Sequence, residues 1–233
     1  MKPKALQAVP FKERRPLLED QVFFVPIHYT GYEHFTLPDL SIYFGNDHPV
    51  SVEFCSGNGD WIIEKAKLDP SKNWIAVEKR FDRVKKIWSK LKNHHLSNLL
   101  IVCGEACTFA HYYLLSDKIE EVYINFPDPW PKMKHAKHRL MQSIFLDELS
   151  RILMPGKKVT VVTDDFSYLQ SMLSLFLRHP NFSPFFPDPF YQIDIQNYGS
   201  SWFENLWREK GKHIHYTQFY TTLIQGLSNG TSG

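Results

Sequence analysis

The run Ile124-Asn125-Phe126-Pro127-Asp128-Pro129-Trp130-Pro131-Lys132 sets one carboxylate, one indole and one ammonium into a stretch carrying three prolines. Each proline fixes its own φ and pushes the residue before it toward extended geometry, so Asp128 and Trp130 are expected to be stiff. Such a frame suits holding a flat, polar ring against a reactive group. Asp128 is the candidate catalytic residue, with Trp130 shaping or stacking on the ring and Lys132 reaching a phosphate or a ring oxygen. The chain then runs into Lys134, His135, Lys137, His138 and Arg139 with no intervening acid, a cluster read here as phosphate contacts.

A second group of candidates lies at the ends of apolar runs. Val52-Glu53-Phe54-Cys55-Ser56-Gly57-Asn58-Gly59 closes the first, Val77-Glu78 the second, and Val102-Cys103-Gly104-Glu105-Ala106 the third. Gly57 and Gly59 would let the backbone approach a ligand. A carboxylate such as Glu78, roughly 20 residues beyond a glycine turn, accepts hydrogen bonds from two ribose hydroxyls. Dinucleotide binding needs a third glycine feeding a helix N-terminus, but Ile62 holds that position and Glu53 would repel a phosphate. A cationic cofactor suits better. S-adenosylmethionine carries a sulfonium and an ammonium that Glu53 would attract, while Glu105 and Ala106 could face its adenine and Asp128 could also touch it.

These residues need a scaffold that brings strand ends together. From residue 50 the chain alternates short apolar runs, near 50–54, 73–77, 99–103, 121–125 and 158–163, with amphipathic segments near 60–68, 80–93, 107–115, 138–153 and 167–178. That rhythm implies an α/β fold, a doubly wound, mostly parallel Rossmann-like sheet with helices on both faces. The runs 190–195 and 215–224 follow without a crossover helix between them, which predicts an antiparallel edge strand. Residues 1–45 read as an irregular arm, 46–226 as one catalytic domain, and 227–233 as a disordered Gly/Ser-rich tail. Ligands bind beyond the carboxyl ends of such strands. Asp164, closing Val161-Val162-Thr163, is therefore expected to flank the same cleft as Asp128.

The Asn-Phe-Pro-Asp-Pro-Trp-Pro-Lys core resembles the signature of the tRNA (guanine-N7-)-methyltransferase family, and the resemblance runs from about residue 50 to 216. The family's acid, glycine turn, second acid and Gly-Asp-Ala-like triplet are matched by Glu53, Gly57 and Gly59, Glu78, and Gly104-Glu105-Ala106. Cys55 stands where the family's turn usually opens with glycine, and Glu105 replaces the usual Asp. Ser200-Ser201-Trp202-Phe203-Glu204 resembles the Thr-x-x-Glu substrate motif, implying that Ser201, Trp202, Phe203 and Glu204 bind substrate, beside Lys132 and Asp164, which their chemistry and position already make substrate-side candidates. A helix start capped by Ser201, with Glu204 as its capping-box partner, explains the same spacing.

The resemblance implies methyl transfer from S-adenosylmethionine to guanosine N7 in the variable loop of tRNA. That nitrogen offers a lone pair and needs no proton removed, so alignment and negative charge near the base would carry catalysis. Two other readings compete. An adenine amino-methyltransferase has a similar Asp/Asn-Pro-Pro-aromatic loop, from which Pro-Asp-Pro-Trp-Pro-Lys departs. A non-catalytic RNA-binding module would keep the fold and be distinguished by titration with the cofactor.

Composition sets outer bounds. The 233 residues, 43% hydrophobic and 22% charged, suit one domain, and a net charge of +2 does not by itself imply nucleic acid. Lys79, Arg80, Arg83, Lys85, Lys86, Lys90 and Lys92 form a second basic cluster with only Asp82 opposing in sequence. Cys55, Cys103 and Cys107 form neither a disulfide framework nor a zinc pattern, which fits a reducing, cytoplasmic setting. No metal and no membrane partner are expected, since the longest early apolar run, Val22–Val25, is far too short to span a bilayer.

Overall fold

The computed structural model describes residues 6–8, 15–130, 138–199 and 202–222. In chain order the elements are β1 (Leu17–Glu19), β2 (Val22–Phe24), α1 (Leu40–Phe44), β3 (Val50–Phe54), α2 (Asp60–Leu68), β4 (Asn73–Glu78), α3 (Phe81–Asn93), β5 (Leu99–Cys103), α4 (Ala106–Tyr113) and β6 (Ile119–Asn125). Then follow α5 (Ser143–Ile152), β7 (Leu153–Thr163), α6 (Phe166–Arg178), β8 (Phe182–Pro184), β9 (Gln192–Ile193), α7 (Trp202–Glu209) and β10 (His215–Thr221).

The sheet runs β1-β2-β5-β4-β3-β6-β7-β10-β8, with β9 paired to β10. Strands β2, β5, β4, β3, β6 and β7 are mutually parallel, and β10 joins β7 antiparallel. The chain builds outward from β3 through β4 and β5, then crosses to β6 and β7 on the other side. The order therefore reverses beside β3, where doubly wound sheets open a crevice at their carboxyl ends. The antiparallel strand expected from residues 215–224 is β10, and the short strands β8 and β9 pair along it toward the rim.

Both sheet faces are covered, which is why the parallel strands read as continuous apolar runs. On one face Val52, Phe54, Ile75, Val77 and Ile124 pack against Phe109 of α4, Phe145 and Leu149 of α5 and Leu169, Met172 and Phe176 of α6. On the other, Trp74, Ala76 and Ile101 meet Trp61, Ile62 and Ala66 of α2 and Val84, Ile87, Trp88 and Leu91 of α3. The spacing of the α3 residues makes one helical stripe, and burying each such side chain contributes about 1.5–3 kcal/mol.

Two sequence expectations change here. The arm over residues 1–45 is not irregular throughout: β2 pairs parallel with β5, and Phe23, fully buried, meets the Tyr113 ring edge-on at 4.8 Å. Strands of three residues are too short for alternation to show. The helix expected from residue 138 begins at Ser143, because Gln142, at its N-cap, is extended (φ −139°, ψ 163°). The tail 227–233 lies outside the described residues.

Candidate functional site

The ends of β3, β4, β5 and β6 border a cavity of about 400 Å³, within the range of small-ligand sites. Cys55, Val77, Glu78 and Lys79 contribute from the β3 and β4 ends, and Gly104, Glu105, Ala106 and Cys107 from the β5–α4 junction. Phe126, Asp128 and Trp130 enter from the loop after β6, Arg139, Leu140 and Phe145 from the approach to α5, and Phe203 from α7.

The turn after β3 is fixed from within. Ser56 N–H donates to the Val77 carbonyl (3.1 Å), Gly59 N–H to the Ser56 carbonyl (2.8 Å) and Gly57 N–H to Glu78 Oε2 (2.9 Å). Gly59 sits at φ +78°, and a Cβ there would come within 2.8 Å of Ile87 on α3, so only glycine fits. A Cβ on Gly57 would come within 3.1 Å of the Phe203 ring, which lies over the turn. Cys55 adopts φ +64° without being glycine, and burial pushes its thiol pKa up.

Glu78 is nearly buried, 4% exposed, and its Oε1 accepts Arg80 N–H at 2.8 Å. Each of its oxygens takes one backbone donor and keeps a second acceptor position for a ligand hydroxyl. Arg83 Nη1 lies 3.6 Å from Oε2, and its guanidinium sits 5.2 Å from the centroid of Phe203.

Glu53 lies outside the cavity wall. Strand alternation turns it toward the α2 and α3 side, where it is 1% exposed. Oε1 accepts from Asn125 Nδ2 (2.7 Å), and Asn125 Oδ1 accepts from the Tyr198 hydroxyl (2.8 Å). Oε2 has no partner among the described residues. Burial is the main cause that raises the Glu53 pKa to about 7, so its expected negative charge is half titrated near neutrality.

Glu105 and Ala106 line the cavity as their place in the fold requires, but the Glu105 carboxylate is turned to the start of α4. It accepts from Cys107 N–H (3.2 Å), Thr108 N–H (2.8 Å) and the Thr108 hydroxyl (2.8 Å), an N-cap that the longer arm of Glu still reaches.

Asp128 faces the solvent side of the cavity, its side chain 67% exposed and 4.0 Å from Lys79 Nζ. The loop is not extended before its prolines: Phe126 and Trp130 have φ of +51° and +41°. Phe126 N–H continues the sheet ladder to the Val162 carbonyl at 2.9 Å, and its ring stacks on Phe203 with centroids 6.3 Å apart.

Asp164 does not join Asp128 at the cavity; it is ion-paired with Lys212. Of the 201–204 motif, Ser201 lies outside the described residues, as do Lys132, Lys134, His135 and Lys137. Trp202 is half-exposed, and Phe203 reaches the cavity. Glu204 is 7% exposed, its Oε1 bound by Arg208 Nε (3.0 Å) and Nη2 (2.9 Å) and by the Tyr216 hydroxyl (3.2 Å), which seats α7 on β10. Arg208 Nη1 extends this to Asp194 at 2.8 Å.

The basic segment 79–92 acquires acids that lie outside it, two of them from distant parts of the chain. Lys90 pairs with Asp60, Lys92 with Asp20 and Arg83 with Glu78, leaving Lys85 and Lys86 exposed with no acidic partner among the described residues. Sequence reasoning missed Val25, Arg83 and Cys107. A Cβ on Gly104 would come within 2.7 Å of Val25, so the N-terminal strand abuts the site edge, a contact no local pattern signals. Among the described residues no cluster of His, Cys, Asp and Glu could hold a metal ion.

The donor set fits S-adenosylmethionine. The Gly57 amide that would face a pyrophosphate is donated to Glu78, and α2 opens with Asp60, which disfavours phosphate at that helix N-terminus. Glu53, which precedes this turn on β3, keeps a buried Oε2 without a partner among the described residues.

Comparison with known proteins bears on the same residues. A family model described as "Putative methyltransferase" matches residues 47–217. A tRNA (guanine-N(7)-)-methyltransferase of Chlamydia muridarum is 51% identical over 220 residues, 94% of this chain and 97% of that protein. One of Chlamydia trachomatis is 49% identical over 220 residues, with the same 94% and 97% coverage. Among solved structures, an antibiotic-related methyltransferase superposes with a TM-score of 0.57 at 14% identity, covering 84% of this chain and 99% of that one, a likeness of fold.

Proposed function

The chain belongs to the tRNA (guanine-N(7)-)-methyltransferase family, and from that premise we propose which residues carry the transfer of a methyl group from S-adenosylmethionine to N7 of a guanosine in the tRNA variable loop. The observation that supports this assignment is that Glu78 and Asp128, from the β4 end and the loop after β6, line one cavity at the switch point of the sheet.

When bound, S-adenosylmethionine supplies an electrophilic methyl group on a sulfonium. Glu78 would hold the ribose hydroxyls, Gly104 to Ala106 would border the adenine, and Gly57, Gly59 and the buried Glu53 would back the methionine end. Asp128 would accept from the amino edge of the guanine and offset the positive charge that the base gains. No proton has to leave N7, so an exposed carboxylate held in place suffices and no buried general base is needed. Trp130 would shape the base pocket, with Phe203 and Trp202 beside it. Lys132 and Ser201 keep the substrate roles that the family motif implies. Asp164 and Glu204 would serve the substrate side through Lys212 and Arg208, holding the segment around α7.

A tRNA substrate supports a cytoplasmic setting for this activity. Among the described residues no helix is long and apolar enough to cross a membrane.

The deciding experiment incubates the protein with unmodified tRNA and a labelled methyl donor and analyses the nucleosides. Labelled 7-methylguanosine from the variable loop is expected. Label in another nucleoside, or none while the cofactor binds, would reject the assignment.

A further inference from the structure

The described start of the loop after β6, Phe126 to Trp130, is fixed at both ends, and the second fixture is a side chain that the sequence suggested only as a phosphate contact. Arg139 Nε donates to the Pro129 carbonyl at 2.8 Å, and Nη2 to the Trp130 carbonyl at 3.3 Å. The arginine is itself braced. Its guanidinium lies 5.2 Å from the ring centroid of Tyr168, which is 2% exposed on α6 and whose hydroxyl accepts from Met141 N–H at 3.3 Å. The Arg139 carbonyl accepts from Gln142 Nε2 at 2.8 Å.

We infer that Arg139 is a positioning residue: it clasps the backbone of Pro129 and Trp130, so that Asp128, between this clasp and the ladder bond of Phe126, keeps its place in the cavity. The inference rests on the transfer reaction proposed above. Trp130 at φ +41° and Phe126 at φ +51° hold a conformation that side-chain-bearing residues rarely adopt, which persists only where surrounding contacts over-determine it. Two parallel donors on a planar fork do this at adjacent carbonyls, whereas a lysine offers a single point charge. The phosphate contact expected of Arg139 from sequence gives way to this inward role, because the bonds above turn its guanidinium toward the loop backbone and Tyr168.

The test uses the full chain with Arg139→Lys and Arg139→Ala. Backbone amide exchange at Phe126, whose N–H bonds the Val162 carbonyl at the start of this loop, should rise on the order of tenfold or more in both, as a local opening unmasks it. With tRNA, kcat should fall roughly ten- to a hundredfold, the scale of a slightly misplaced group, while KM for tRNA stays within about twofold. Combined with Asp128→Asn, the Arg139 substitution should add less than about threefold, since both act through one carboxylate. The salt dependence of tRNA binding should be unchanged. The inference is overturned if Arg139→Lys keeps wild-type kcat and wild-type exchange. It is equally overturned if the salt slope drops by about 0.7–0.9, one phosphate, at constant kcat. Should Arg139→Ala not fold, Arg139→Lys carries the test. Should the wild type methylate no tRNA, the functional reading fails, and amide exchange alone still decides the clasp.

Discussion

Glu78 Oε2 accepts the backbone N–H of Gly57 at 2.9 Å, joining the end of one central strand to the turn after its neighbour. The same carboxylate is thus a structural tie and the candidate ribose acceptor. Glu78→Ala should destabilise the protein by about 1–3 kcal/mol, because it strands the buried Gly57 N–H. It should also abolish most of the stabilisation by S-adenosylmethionine, which is about 2.7 kcal/mol at a hundredfold excess over the dissociation constant. Melting curves with and without cofactor read both effects, and a wild-type cofactor shift in the variant would remove Glu78 from the ribose site.

Asp128 offers the opposite combination. Its side chain is 67% exposed, so Asp128→Asn should melt with the wild type. Single-turnover methyl transfer at saturating tRNA and cofactor should slow on the order of a hundred- to a thousandfold, as for loss of one preorganised electrostatic partner. A rate near wild type would reduce Asp128 to scaffold.

Glu53 predicts a pH dependence of stability. Its folded pKa, about 7, lies above the ordinary value of 4.5, chiefly because burial penalises the charged form. Between those values the folded state binds more protons than the unfolded one, so stability falls as pH rises through this window and levels off above it. The span corresponds to roughly 3 kcal/mol. Glu53→Gln should flatten the decline and melt above the wild type at pH 8. Parallel melting-temperature profiles for the two proteins between pH 5 and 8 would contradict this.

Electrostatics on the RNA side separates two lysine pairs. Each phosphate neutralised contributes about 0.7–0.9 to the log–log salt slope. Replacing Lys134 and Lys137, which lie outside the described residues, should flatten the slope for tRNA by about two such steps and leave cofactor affinity unchanged. An unaltered slope would transfer the contact to Lys85 and Lys86 on α3, the exposed lysines of that helix without an acidic partner among the described residues.

From its sequence alone the chain determined the strand–helix rhythm, the glycine turn, and the carboxylates that close successive strands, because all are local patterns of period, turn chemistry and spacing. Glu78, Ala106 and Asp128 reach the cavity for that reason: a residue at a parallel strand's carboxyl end has few other places to go. What tertiary structure decided is where each charge spends its interactions. Asp20 and Asp60 neutralise α3 from distant segments, Lys212 takes Asp164, Arg208 reaches across to Asp194, and Arg139 turns inward to two carbonyls. The face of β3 that carries Glu53 is set by the pairing of the strand, and its raised pKa by the layer of helices over it. These are long-range facts: a side chain's partner depends on which remote segment folds beside it, and composition or spacing within one segment holds no record of that.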